Sequence, residues 1–380
     1  MRYTRFYLYG FGLVCANSMA AMFLSLYLKS QTVGESGIGG LLSVYHLVMP
    51  VVIFIFGLLS DRVSCRRLVM LGSFISIIFC ATMPHLRSIP FMALEVALDG
   101  IGLTLSLISV SVLFLKVAPE SGRGAPISIF VAAQNVGYAI GCATASLLIR
   151  QFSFPISIIF HAALPIHILN FIVASGLPDA PVSTFPIIKY FQDMNKFPVF
   201  CLALITFSLG MHWGTEKFSL VRIMTTQMKS SGIEMALFFI VIGATMAVFT
   251  RLAGHLMDKR RGFAAYLVFG MMLSGGMHFL TNWTRTFMPF LIVRTIHTCG
   301  DGFVTFAVPM LVSLAFASER LGGNYGFNRT INSIGAALGS ALSGFLAARY
   351  NLGTPFLATG VFAMAAAAAI WLTRRHLPAN

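Results

Sequence analysis

Long apolar stretches separated by short polar turns fill this chain from end to end. A membrane-crossing helix needs roughly 20 predominantly apolar residues. Twelve stretches reach that length: about 6–28, 38–59, 68–86, 90–115, 126–149, 154–176, 198–222, 233–257, 263–281, 287–316, 325–348 and 354–373. The pattern predicts an all-α membrane protein with 12 transmembrane helices. Together the spans use nearly all of the 380 residues, so no soluble catalytic or nucleic-acid-binding domain fits between them.

Composition agrees. The chain is 57% hydrophobic and 10% charged, with a mean hydropathy of +0.84, whereas about a quarter of the residues in soluble domains are charged. A net charge of +14 would suggest nucleic acid in a soluble protein. Here it follows the bias of Lys and Arg toward cytoplasmic loops. With the N-terminus inside, sixteen of the 26 basic residues fall on the cytoplasmic side and six on the other, and Lys217, Arg222, Arg294 and Arg329 lie inside spans. Both termini are therefore expected in the cytoplasm. The first span follows Met1-Arg-Tyr-Thr-Arg5 and shows no small-residue cleavage site, so it reads as a retained helix. The six cysteines have no metal-ligand spacing and read as packing residues.

The chain divides at its longest polar connection. Residues 1–176 are expected to form one six-helix bundle, 177–197 a cytoplasmic linker, and 198–380 a second bundle. Positions recur across that seam. Gly57 and Asp61 return 197 residues on as Gly254 and Asp258, Gly137 and Gly141 return 198 on as Gly335 and Gly339, and Gly37-Ile38 returns 195 on as Gly232-Ile233. Four coincidences within so narrow a range of offsets suit an old duplication with small gaps.

The repeated loops carry a recognisable pattern. Gly57-Leu-Leu-Ser-Asp61-Arg62-Val-Ser-Cys-Arg66-Arg67 resembles Gly-x-Leu-x-Asp-Arg-x-Gly-Arg-Arg, the signature loop between the second and third helices of the major facilitator superfamily. Gly254-His-Leu-Met-Asp258-Lys259-Arg260-Arg261-Gly262 is similar to the weaker second copy that the family keeps. The resemblance implies two pseudo-symmetric six-helix bundles, substrate near the midplane and alternating access by rocking. It implies a gating role for Gly57, Asp61, Arg62, Arg66, Gly254, Asp258, Lys259 and Arg260, with Asp61 as latch of the inward-closed state. It also implies that the fifth and eleventh spans, with their small-xxx-small glycine pairs, pack near the interface between halves. An aspartate in such a loop can sit at a helix N-terminus, where the dipole favours an anion.

Departures limit the transfer. Ser64 and Cys65 stand where the family has Gly and a basic residue, and Gly262 follows its arginines. The fifth span lacks the Pro and one Gly of the family's export motif, and Val96 stands where many members have an Arg.

Ionisable residues at membrane depth cost a few kcal/mol, so those present are expected to face a cavity or a partner. Glu95 and Asp99 share a face of the fourth span. The seventh carries His212 and Glu216 on one face and Trp213 and Lys217 on the next. Arg294, His297 and Asp301 form a stripe on the tenth, and Arg329 and Asn332 lie on the eleventh. By resemblance, the first, fourth, seventh and tenth helices line one central cavity. Glu95 and Asp99 are expected to carry the coupling proton, because neighbouring carboxylates resist joint ionisation, and Glu216 with His212 is the second candidate. The cavity set is Asn17, Trp213, Lys217, Arg294, His297, Asp301, Arg329 and Asn332, whose cations suit carboxylate or phosphate groups. Ser18, Gln134, Asn135 and His46 read as packing contacts, as do His161, His167 and His278.

The reading is a proton-coupled transporter of a small organic anion, zwitterion or amphipathic metabolite, with siderophore-like carboxylates favoured. Multidrug efflux is the alternative, and a polytopic enzyme or a transport-dead receptor is less favoured. No cofactor or metal is expected beyond H+ as coupling ion. The partners are a small-molecule substrate and the lipid bilayer, with no nucleic acid, in a monomer of the bacterial inner membrane.

Overall fold

The computed structural model describes residues 3–33, 35–118, 122–182, 186–259 and 262–377; the side chains of 25, 35–40, 42–47, 187, 259 and 376 also fall outside the description. Fourteen helices are found among the described residues. In the first half these are α1 (Thr4–Ala21), α2 (Leu24–Ser30), α3 (Glu35–Arg62), α4 (Cys65–Thr82), α5 (Ile89–Val117), α6 (Gly124–Ser146) and α7 (Ile158–Ser175). A short α8 (Ile187–Met194) precedes α9 (Phe197–Arg222), α10 (Gly232–Lys259), α11 (Phe263–Thr281), α12 (Phe287–Ala315), α13 (Leu321–Arg349) and α14 (Thr354–Thr373).

Eleven helical segments, α1 with α2 counted as one, are long and apolar enough to cross a membrane, and α3 with 28 residues completes the predicted twelve. Helix is the form a chain must take there, because lipid offers the backbone no hydrogen-bonding partner. The starts follow local chemistry. Proline stands in the first turn of α5, α9 and α14, where its missing N–H costs nothing. Gly262 takes φ +116° before α11, a left-handed conformation that suits glycine. Some boundaries differ from the expectation. The first span breaks at Met22–Phe23 into α1 and α2, with neither Pro nor Gly at the break, and α13 begins at Leu321, a turn earlier than the apolar pattern.

The duplicated glycine pairs set the packing inside each half. A Cβ on Gly137 or Gly141 would lie 2.3 or 2.2 Å from the Phe11 and Cys15 carbonyl oxygens of α1. On Gly335 or Gly339 it would lie 2.4 or 2.2 Å from those of Phe207 and Met211 in α9. Only a bare Cα permits such approach. These pairs therefore join α6 to α1 and α13 to α9 within one bundle. The same two helices also carry the contact across the halves, α13 against α3 and α6 against α10, so the fifth and eleventh spans lie at the interface as expected.

Candidate functional site

The two signature loops meet the opposite half in the same way. Asp61, in the last turn of α3, is fully buried. Its Oδ1 accepts the Gly322 N–H at 2.9 Å and its Oδ2 the Gly323 N–H at 2.8 Å, two of the backbone donors that the first turn of α13 cannot satisfy internally. Asp258 of α10 accepts the N–H groups of Gly124 at 3.0 Å and Ala125 at 2.8 Å, at the start of α6. The donors are duplicated like the acceptors: 322 − 124 and 323 − 125 are both 198. Glycine allows both approaches. A Cβ on Gly57 would stand 2.6 Å from the Gly326 Cα, and one on Gly254 would stand 2.5 Å from the Ser128 Cβ.

The contacts of Asp61 are reinforced. The Lys116 ammonium of α5 lies 2.7 Å from Asp61 Oδ1, and the Tyr190 hydroxyl of α8 donates to Oδ2 at 3.1 Å. Burial, and then the facing carboxylate, push the Tyr190 phenol well above its ordinary value, which keeps it a donor. Beside it, Asp193 of α8 accepts from Arg320, Asn324 and Lys196 at 2.8, 3.2 and 2.8 Å. Burial would raise this carboxyl, but those hydrogen bonds outweigh it and hold the group at about 2.

The basic residues of the loops contribute less. Arg62 is exposed, and the Arg66 guanidinium reaches the Leu177 carbonyl at 3.5 Å. The Lys259 side chain, Arg260 and Arg261 lie outside the described residues. Ser64, which replaces the family's glycine, caps α4 by accepting the Arg67 N–H at 3.2 Å and donates to Asp179 of the linker.

Inside the second half, three helices bring their polar residues to one point. Glu216 Oε1 pairs with the Arg294 guanidinium. The same oxygen lies 3.1 Å from His297 Nε2, 3.3 Å from His212 Nε2 and 3.9 Å from His278 Nε2. Asp301 Oδ2 lies 3.2 Å from His212 Nε2 and 3.1 Å from His297 Nε2. Arg294, His297 and His278 are buried to within 2% of full coverage. A cavity of about 20 Å³ beside His212, Ser274 and Asp301, walled by α9, α11, α12 and α14, holds at most a water. The stripes of α9 and α12 thus converge on Glu216 and Asp301, and Arg294 is also close enough to Tyr138 of α6, in the first half, to feel its charge. His278 is the residue that sequence reasoning set aside as packing. Nothing near it in sequence is acidic; only the packing of α11 against α9, α12 and α14 supplies its partners.

The acids of the fourth span do not join that cluster. Asp99 lies on the α5 face that carries Gly102 and Ser106, which packs on Gly72 and Ile75 of α4, and its charge is felt by Cys80. Asp99 Oδ2 and Glu95 Oε2 are buried without a hydrogen-bonding partner among the described residues. The shared chamber expected from four polar helices is corrected accordingly.

Other members of the expected set lie apart from this cluster. Arg329 lies on α13 between the face packed on α3 (Gly322, Gly326) and the face packed on α9 (Gly335, Gly339), and its guanidinium sits 6.0 Å over the Trp213 ring. Lys217 follows Trp213 by one turn and is exposed, close enough to Arg329 to feel its charge. Neither cation has an acidic partner among the described residues. Asn17 of α1 is half-buried. Asn332 is corrected to a packing role, since its amide donates to the Thr206 carbonyl of α9 at 3.1 Å. Asn135 does the same toward Thr250 of α10 at 3.4 Å, and His46 lies outside the described side chains. Closer to the cytoplasm, a void of about 30 Å³ lined by Phe114, Phe130, Gln134, Pro309 and Tyr325 separates the halves.

Solved structures share this architecture. The human organic anion transporter MFSD10 (TETRAN) superposes with a TM-score of 0.79 at 14% identity, covering 96% of this chain and 98% of that one. The proton:xylose symporter XylE bound to 6-bromo-6-deoxy-D-glucose gives 0.78 at 14%, covering 97% and 94%. At that identity the likeness shows the fold. No curated protein sequence matches the chain. The sequence model of the Major Facilitator Superfamily, however, matches residues 6–288 and again 202–380. Spanning nearly the whole chain, and meeting a duplicated latch and a twelve-span fold, that match makes this protein a member of the Major Facilitator Superfamily, an integral membrane transporter and not an enzyme.

Proposed function

We propose that the protein is a proton-coupled secondary transporter of a small organic anion or zwitterion, with siderophore-like carboxylates as the favoured class, working as a monomer in a bacterial inner membrane. What carries the reading is the pair Arg329 and Lys217. Both are cations without an acidic partner among the described residues, and Arg329 lies over the Trp213 ring. Unpaired basic charge inside a membrane protein calls for a mobile anion, and Arg offers the planar fork that grips a carboxylate. The organic anion named for MFSD10 is in keeping with this.

Proton coupling rests on Asp99 and Glu95. A buried carboxylate oxygen with no donor is costly as an anion, and two on one helix face share that cost. The proton named for the symporter XylE points the same way. With Asp61 and Asp258 both bonded, the cytoplasmic side is in its latched form.

A thermal-shift screen of the purified protein against citrate, amino acids, sugars and lipophilic cations at two pH values tests the substrate class. Carboxylates should stabilise the wild type and lose that effect in Arg329→Gln. Stabilisation by lipophilic cations alone would overturn the reading in favour of multidrug efflux. In proteoliposomes, Asp99→Asn should abolish transport driven by a pH gradient and leave exchange intact.

A further inference from the structure

We infer that His212, His278, His297 and Glu216 form a resident binding site for a divalent first-row transition metal, of the zinc or ferrous type, inside the second bundle. The four ligand atoms lie within 4.8 Å of one another. A tetrahedral site with bonds of about 2.0–2.1 Å has ligand-to-ligand edges of about 3.3–3.4 Å. The distances from Glu216 Oε1 to the three Nε2 atoms, 3.1, 3.3 and 3.9 Å, bracket that edge.

The hydrogen bonds behind the rings turn the right atoms forward. His297 Nδ1 lies 3.0 Å from the Ser274 carbonyl oxygen, which can only accept, so Nδ1 carries a proton and, in the neutral ring, Nε2 presents a lone pair. His278 Nδ1 lies 3.2 Å from Thr359 Oγ1. That hydroxyl gives its own proton to the Pro355 carbonyl at 3.1 Å, so it accepts from Nδ1–H, and here too Nε2 is bare. Such outer contacts are how proteins orient metal-binding imidazoles. His278 Nε2 is fully buried and has no hydrogen-bonding partner among the described residues. Bare nitrogens aimed at a carboxylate oxygen repel it unless a cation stands between them.

Charge points the same way. With neutral imidazoles, Glu216 and Asp301 oppose the single positive charge of Arg294, leaving one negative charge unmatched in a buried site. Three imidazoles and a carboxylate suit zinc or iron, while calcium and magnesium need oxygen. The rings now stack nearly parallel, with centroids 4.3 to 4.7 Å apart. Seating the ion requires them to fan out about χ2, a broad torsion for histidine. It also requires Glu216 to leave Arg294, whose Nε and Nη1 have no partner among the described residues already. Burial of the three imidazoles, at 0 to 3% exposure, marks the ion as resident and not as cargo.

The experiment uses the full-length protein in detergent or nanodiscs, stripped with a chelator and titrated with Zn²⁺ and with Co²⁺ in competition with a chromophoric chelator. No transport substrate is present, so the result does not depend on the proposed anion. One equivalent per chain is expected, with the absorption of a low-coordinate cobalt site, and no displacement by Ca²⁺ or Mg²⁺. His278→Ala and His297→Ala should each lose at least about tenfold in affinity, the loss of one of four ligands, while His161→Ala should match the wild type. Arg294→Met supplies a test that misfolding cannot imitate. Removing the competing cation should tighten Zn²⁺ binding by about tenfold or more. Binding that is absent from the wild type, unchanged in both histidine variants, or weakened in Arg294→Met overturns the assignment.

Discussion

Asp61 and Asp258 end two copies of one loop, and each takes two backbone N–H groups from the first turn of a helix in the opposite half. Their surroundings differ. Asp61 is buried, paired with Lys116 at 2.7 Å and bonded by Tyr190. Asp258 is exposed at the surface, with Arg251 reaching past it to Ala125 and Ser128 at 2.9 and 2.7 Å. Duplication copied the hydrogen bonds but not the dielectric around them. In the buried copy, loss of one partner strands a charge; in the exposed copy, water replaces what is lost. The first latch should therefore dominate the stability of the cytoplasm-closed state, and the second should chiefly fix its register.

The largest effect is expected from Asp61→Asn. It keeps the shape but removes the charge, leaving the Lys116 ammonium buried without its anion. Breaking a buried pair from one side costs about 3–5 kcal/mol. Hydrogen-exchange protection of the Gly322 and Gly323 amides should fall on the order of a hundredfold or more. Unchanged protection would show that the closed state does not rest on this latch. For Asp258→Ala the loss is that of a helix cap, roughly 1 kcal/mol, and the Gly124 and Ala125 amides should lose about fivefold in protection. Equal effects at the two aspartates would break the comparison.

The legibility of these features in the sequence divides along a physical line. Helix spans, the loop pair and its offset of 197 residues could be read from one dimension, because span length and backbone capping are local. The glycine pairs were visible as close-packing devices, but their partners α1 and α9 were not, since any helix can meet a bare Cα. His212, Glu216, His297 and Asp301 were legible as polar stripes. Their junction through His278 was not, because it depends on three helices far apart in sequence and on the Ser274 and Thr359 groups behind the rings. Asp99 was misplaced for a similar reason: its height in the membrane follows from residue number, but its direction follows from the packing of Gly102 on α4.

The linker adds the smallest and most specific effect. Asp193 joins α8 to Arg320 and Asn324 at the start of α13, beside the buried latch. Its carboxyl is held at about 2, below the ordinary value of about 3.9. A depressed carboxyl stabilises the folded form fully above its unfolded value and loses that contribution as pH falls through the folded one. The attachment of α8 should therefore stay constant from pH 8 to pH 5 and weaken only below about pH 4. Hydrogen exchange across 188–194, corrected for the intrinsic pH dependence, should be flat over the upper range in the wild type and faster at every pH in Asp193→Asn. Loosening of the wild type between pH 7 and 5 would contradict this. Tyr190, pushed upward, also keeps its proton in that range. Both attachments of α8 are then indifferent to physiological pH, so a change in α8 exchange between pH 7 and 5 would have to be transmitted from elsewhere in the protein.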